Sequence, residues 1–105
     1  MAMGNFVITK DKDKTQGVTR FIIQGRVNSK NSPVLQFKLE DALRDGDTNI
    51  VLDMAQVEFL SSDGIRVILK IYKQTEKEGG KFRIERPSEN VRNVLGMVAL
   101  NEMLT

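Results

Sequence analysis

A short apolar run, Ile50-Val51-Leu52, stops at Asp53, and a few residues later an amphipathic stretch opens on Ser61-Ser62-Asp63-Gly64. An unbroken apolar run of this length suits a strand buried on both faces. The stretch after it carries Ile65, Ile68, Leu69 and Tyr72 at helical spacing, widened by Val67 and Ile71, which predicts a helix over 62–78. Gly79-Gly80 terminates it, and Phe82 and Ile84 alternate as a further strand. A sheet covered by helices is the architecture that buries both patterns together.

The remaining segments extend that scheme. Phe6 and Ile8 alternate with polar neighbours over 5–10, a polar loop follows over 11–17, and 18–24 reads as a second strand ended by Gly25. Ser32 is a good N-cap, with Pro33 at the first helical position, and Leu35, Leu39, Ala42 and Leu43 share one helical face. Asp45-Gly46-Asp47 closes that helix. Pro87-Ser88 opens a third, with Val91, Val94, Leu95 and Val98 on one face, and Asn101 is placed to cap a final turn burying Met103 and Leu104. The predicted fold is α/β, a mixed four-stranded sheet with packed helices in the order β-β-α-β-α-β-α. The 105 residues suit one domain over 1–105, with residues 1–4 disordered or added in front of it.

Composition removes whole classes of activity. The chain has no cysteine and no histidine. Disulfides, zinc ribbons, thiol catalysis, the Ser-His-Asp arrangement and most transition-metal sites are therefore excluded. Sixteen Lys and Arg against fourteen Asp and Glu leave a net charge of +2, a weak footprint for a nucleic-acid binder. No apolar run approaches a membrane span and no basic-then-apolar leader opens the chain, so the expected location is the cytoplasm.

The candidate site lies where the buried strand gives way to the second helix. Ser61 and Ser62 are candidate N-caps, and Asp63 in the first turn suits the positive end of the helix dipole. Capping alone accounts for all three residues.

Phe59-Leu60-Ser61-Ser62-Asp63-Gly64, followed by Ile65, Val67, Ile68 and Leu69, resembles the aromatic-apolar-Asp-Ser-Ser/Thr-Gly signature of the STAS domain of bacterial anti-sigma factor antagonists. Gly25-Arg26-Val27-Asn28 is similar to that family's Gly-x-apolar-Asp element. Ser32-Pro33-Val34-Leu35 resembles the start of its first helix, and Val98-Ala99-Leu100 its C-terminal turn. The chain departs from the pattern at Ser61 and Asn28, where the family has Asp, and at Asp63, where it has Ser or Thr. The resemblance implies a binding protein and kinase substrate without an activity or cofactor of its own. Its partner would be a serine-kinase anti-sigma factor, and a serine phosphatase would restore binding. Carried over by position, the phosphoacceptor is Ser62, with Ser61 as the alternative. The implied partner surface comprises Asn28, Ser61, Ser62, Asp63 and Gly64. A stand-alone STAS subunit of another bacterial phospho-signalling complex is the alternative within the same class. A small enzyme using Asp53, Asp63 or Ser62 is the alternative from another class.

Arg66, Lys70, Lys73 and Lys77 form a basic stripe on the second helix, either a docking surface beside Ser62 or a solvated face paired locally with Glu76 and Glu78. Phe37 and Val34 fall off the apolar stripe of the first helix, as a partner patch or as isolated exposed residues. Asp53 reads as a residue that caps or braces the connection that follows it. Gly79-Gly80 lacks the Lys and Ser/Thr of a phosphate-binding loop and reads as a turn.

Overall fold

The computed structural model describes residues 5–13 and 16–97. Its elements are β1 (Val7–Asp13), β2 (Val18–Val27), α1 (Ser32–Arg44), β3 (Asn49–Leu60), α2 (Ser62–Lys77), β4 (Lys81–Glu85) and α3 (Glu89–Met97), in the expected order. The four strands form a sheet in the order β1-β2-β3-β4. β1 runs antiparallel to β2, while β2–β3 and β3–β4 are parallel. Phe21, Ile23, Ile50, Leu52, Met54 and Ile84 of the sheet meet Leu35, Leu39, Ile68, Ile71, Val91 and Leu95 of the helices in one fully buried cluster. The expected final turn at Asn101, Met103 and Leu104, the family-like Val98-Ala99-Leu100 and the apolar Val98 lie outside the described residues.

Three strands are longer than their apolar residues suggest. β1 continues through Asp11, Lys12 and Asp13, expected as loop, because its ladder with Arg20, Thr19 and Val18 pairs the backbone. Lys10 and Lys12, two apart on one strand face, both reach the buried Asp47 carboxylate, at 3.7 and 2.9 Å. That hydrogen bond, then the charge of Asp47, raises the pKa of Lys12 above its ordinary value. β2 passes through Gly25, expected as its end; this residue sits at φ +94, a conformation glycine adopts readily, and the strand resumes to Val27.

β3 holds the largest difference. Residues 54–60, expected as a connection, are strand, and two irregularities in the pairing with β2 fit the extra β3 residues into the ladder. Asp53 supports the first irregularity: its Oδ1 accepts from Ala55 N–H at 3.2 Å, and its Oδ2 binds Arg86. Arg86 is itself at φ +50, a left-handed conformation rare in non-glycine residues, so the buried carboxylate fixes a strained position at the end of β4. The bracing role expected for Asp53 takes this concrete form.

Beyond the end of β4, α3 takes over the open edge of β3. Ser88 N–H donates to Met54 C=O (3.1 Å), Ser88 Oγ–H to Val57 C=O (2.7 Å), and Asn90 Nδ2–H to Glu58 C=O (2.6 Å). Ser88 Oγ also accepts from Val91 N–H and so caps α3.

Two helix details also differ from expectation. The N-cap position of α1 falls on Asn31, with Ser32 inside the helix and buried; the Asn31 side chain makes no capping bond and closes the preceding turn instead. On α2 the buried stripe is Gly64, Val67, Ile68, Ile71 and Thr75, with Ile65, Leu69 and Tyr72 only half-buried. The shift follows from α2 packing on α1 as well as on the sheet, which moves the covered face sideways.

Ser88→Ala removes both a strand-edge bond and a helix cap, and should cost about 1–2 kcal/mol in urea denaturation. A loss below about 0.3 kcal/mol would contradict the stitching role.

Candidate functional site

Parallel pairing places the last residues of β2 and β3 side by side, Val27 opposite Leu60. The segments leaving them, the turn 28–31 and the start of α2, therefore emerge at the same end of the sheet, where α/β folds characteristically carry their sites. Ser61 N–H donates to Val27 C=O at 2.9 Å and ties the two exits together. Gly64 permits the contact to close: a Cβ there would lie 2.7 Å from Leu60 Cδ1 and 2.8 Å from Val27 Cγ1. Gly64 is thus a packing residue at the base of the site.

The turn after β2 is built by two asparagines. Asn28 N–H donates to Asn31 Oδ1 (2.9 Å), Asn28 Oδ1 accepts from the N–H groups of Lys30 (3.0 Å) and Asn31 (3.1 Å), and Asn31 Nδ2–H donates to Arg26 C=O (2.8 Å). The Asn28 side chain is consumed in shaping the backbone. A carboxylate oxygen accepts such bonds equally well, which rationalises the Asp seen at this place in the family-like pattern.

The adjacent serines are not equivalent. Ser61 is the N-cap of α2, its Oγ accepting from Gly64 N–H at 3.1 Å. Ser62 is the first helical residue, exposed, and its hydroxyl makes no hydrogen bond to any described residue. Asp63, next along, pairs with Arg66 at 2.7 Å.

A groove of about 350 Å³ runs between the start of α1 and the first turns of α2, lined by Ser29, Ser32, Gln36, Asp63, Arg66 and Lys70 among others. Lys70 reaches Glu40 across the two helices at 3.6 Å. Hydrogen bonding from Gln36 and the charge of Lys70 hold the Glu40 carboxyl below the usual carboxylate range, against the opposing pull of burial. The basic stripe therefore divides: Arg66 and Lys70 have acidic partners, Asp63 and Glu40, other than the Glu76 and Glu78 suggested by spacing. Lys73 is exposed, makes no ion pair with a described residue and does not line the groove.

Asn28, Ser61, Ser62, Asp63, Gly64, Arg66 and Lys70 thus share one end of the molecule. Ser29, Ser32, Gln36 and Glu40 join them unforeseen, since nothing local in sequence states which helix lies beside α2. Beside Ser61, Phe59 stays 39 % exposed with the Arg26 guanidinium 4.5 Å over its ring, a cross-strand contact set by the register of β2 and β3. On α1, Phe37 is 59 % exposed and carries Arg44 over its ring at 5.9 Å.

Replacing each serine by alanine separates the two roles. Ser61→Ala should cost about 1 kcal/mol as a lost cap. Ser62→Ala should stay within about 0.5 kcal/mol of wild type. Equal losses in thermal or urea unfolding would show that Ser62 also has a structural role.

Comparison with known proteins agrees with this architecture. The STAS domain family model matches residues 9–105. BtrV of Bordetella bronchiseptica, named as an anti-sigma factor antagonist, is 33% identical over 82 residues, covering 78% of this chain and 71% of its own. The anti-sigma-B factor antagonist of Bacillus subtilis is 23% identical over 97 residues, 92% of this chain and 88% of its own. Among solved structures, the anti-sigma factor antagonist SpoIIAA of Bacillus superposes in its unphosphorylated form with a TM-score of 0.80 at 20% identity, over 96% of this chain and 86% of that one. Its phosphorylated form superposes with a TM-score of 0.75 at 19% identity, over 96% and 89%. The chain belongs to the STAS domain family, alongside relatives named as anti-sigma factor antagonists.

Proposed function

We propose that this protein is an anti-sigma factor antagonist whose partner is a serine-kinase anti-sigma factor, and that phosphorylation of Ser62 by that kinase switches binding off. The observation that carries the reading is the contrast between the serines: Ser61 is committed to its cap while the Ser62 hydroxyl is exposed and unengaged. In the transfer, Ser62 Oγ bonds to the γ-phosphorus of ATP as the bond from that phosphorus to its bridging oxygen breaks. ADP leaves, and the hydroxyl proton passes to a base of the kinase. The kinase brings ATP and magnesium; the antagonist contributes an oxygen nucleophile on a rigid helix start. A serine phosphatase reverses the step by hydrolysis.

The first turn of α2 suits such a modification physically. A phosphoserine adds about −1.5 to −2 charges at neutral pH, and a helix N-terminus accommodates them without loss of fold. The added charge then acts on the partner across a surface formed by the Asn28 turn, the Ser61–Asp63 segment, Arg66, Lys70 and Lys73, with the buried Gly64 supporting it from below. Release of the sigma factor from the bound kinase is the transcriptional output. The reading places the protein in the cytoplasm, where its partner finds ATP; no helix among the described residues is long and apolar enough to cross a membrane.

Affinity for the kinase tests the switch directly. Ser62→Ala should bind like wild type and Ser62→Glu at least about tenfold more weakly, a difference of roughly 1.4 kcal/mol; equal binding by Ser62→Glu would reject it. Mass spectrometry after incubation with kinase and ATP should find phosphate on Ser62, and none on Ser61 or Ser62 would remove the acceptor assignment. Reversing Lys70 and Lys73 to Glu should slow association severalfold and flatten its salt dependence. An unchanged association rate would exclude the basic stripe from docking.

A further inference from the structure

We propose that Arg66 is the internal receptor for a phosphate on Ser62, and that its transfer from Asp63 to that phosphate turns the groove between α1 and α2 from neutral to acidic. The inference rests on Ser62 being the modified residue. Ser62 and Arg66 are four residues apart on α2, the spacing at which helical side chains face one another with Cβ atoms about 5–6 Å apart. In the unmodified protein the Arg66 guanidinium holds Asp63 through Nη1 at 2.7 Å, with 74% of its side chain exposed. Its remaining N–H donors bond to no described residue. A pair this exposed is screened by water, so little holds Arg66 in place.

A phosphate at Ser62 competes for the same guanidinium with about −1.5 to −2 charges against the single charge of Asp63. It also offers three acceptor oxygens in the geometry that arginine binds through two parallel N–H bonds. Charge number and donor geometry both favour the phosphate, and the move is a side-chain rotation on a helix surface with no backbone change.

The consequence reaches beyond the phosphate. Asp63 and Arg66 both line the groove. While they are paired, their charges cancel at its mouth. Once Arg66 turns to the phosphate, the Asp63 carboxylate faces the groove alone. The next cation, Lys70, is already engaged by Glu40. Negative charge on any surface brought against the groove is then repelled from inside it as well as from the phosphorylated rim. Asp63 and Arg66 are thereby assigned roles as relay residues.

The test uses the full chain with phosphoserine inserted at position 62 during translation, so that no kinase is needed. ³¹P NMR titration reads the second ionisation of the phosphate in wild type, Arg66→Ala and Lys73→Ala. Pairing with Arg66 should lower that pKa by about half a unit relative to Arg66→Ala. Lys73→Ala, which removes a cation farther along the helix, should match wild type. Identical values in wild type and Arg66→Ala would overturn the proposal. A ¹H–³¹P correlation should also connect the phosphate to the Arg66 guanidinium protons, and its absence from the wild-type phosphoprotein would overturn it too. Because the phosphate is installed without the kinase, this failure is distinct from failure of the kinase to modify Ser62.

Discussion

The site depends on one close approach, that of Gly64 to the ends of two parallel strands. The absent side chain at Gly64 lets the first turn of α2 settle onto Val27 and Leu60, and Ser61 N–H then reaches Val27 C=O at 2.9 Å. Tight packing is stiff, since a protein interior has little free volume to take up displacement. At the surface, Ser62 and Asp63 project from a helix start packed onto both strand ends and beside a turn closed by the Asn28 and Asn31 side chains. The proposed recognition and modification of Ser62 would benefit from such a presentation.

The same economy appears along β3, whose second half has no neighbouring β4 strand. Its carbonyl groups at Met54, Val57 and Glu58 are satisfied by Ser88 and Asn90 at the entry to α3, and the freed Ala55 N–H is satisfied by Asp53. Backbone groups left unpaired away from water are costly, so these bonds, three from side chains and one from Ser88 N–H, support a twelve-residue strand beside a five-residue one. The extension carries the chain out to Leu60 and so sets where α2 begins. Stability at the strand edge and position of the site are one problem solved by one set of polar residues.

How much of this was legible in sequence depended on the range of the interaction involved. The helical stripe of α1 and the strand alternation at Phe82 and Ile84 are local, and each lies where its spacing puts it. The second half of β3 was not legible because its irregularities break the alternation: Val57 and Leu60 are buried three apart, a spacing that does not read as strand. Asp11 to Asp13 failed for the opposite reason, being strand by ladder pairing alone with no apolar signal. Ser32 was a sound N-cap on propensity, but its N–H is bonded to Asn28 C=O in the turn and the helical bonds begin at Asn31 C=O, which leaves Ser32 inside the helix.

At the site the division is sharper. Sequence by itself determined that a helix begins at a Ser-Ser-Asp-Gly cluster, that cysteine and histidine chemistry is closed to this chain, and that the pattern is that of a STAS domain. Those facts follow from residue type and short-range spacing. Only the tertiary structure decided which serine caps and which is free, because that turns on the Ser61 bonds to Val27 and Gly64. It alone decided that Arg66 and Lys70 look into a groove shared with α1, and that Lys70 reaches Glu40 across the two helices. Residues on separate elements acquire neighbours only when the sheet brings the ends of β2 and β3 together, and no local pattern encodes that meeting.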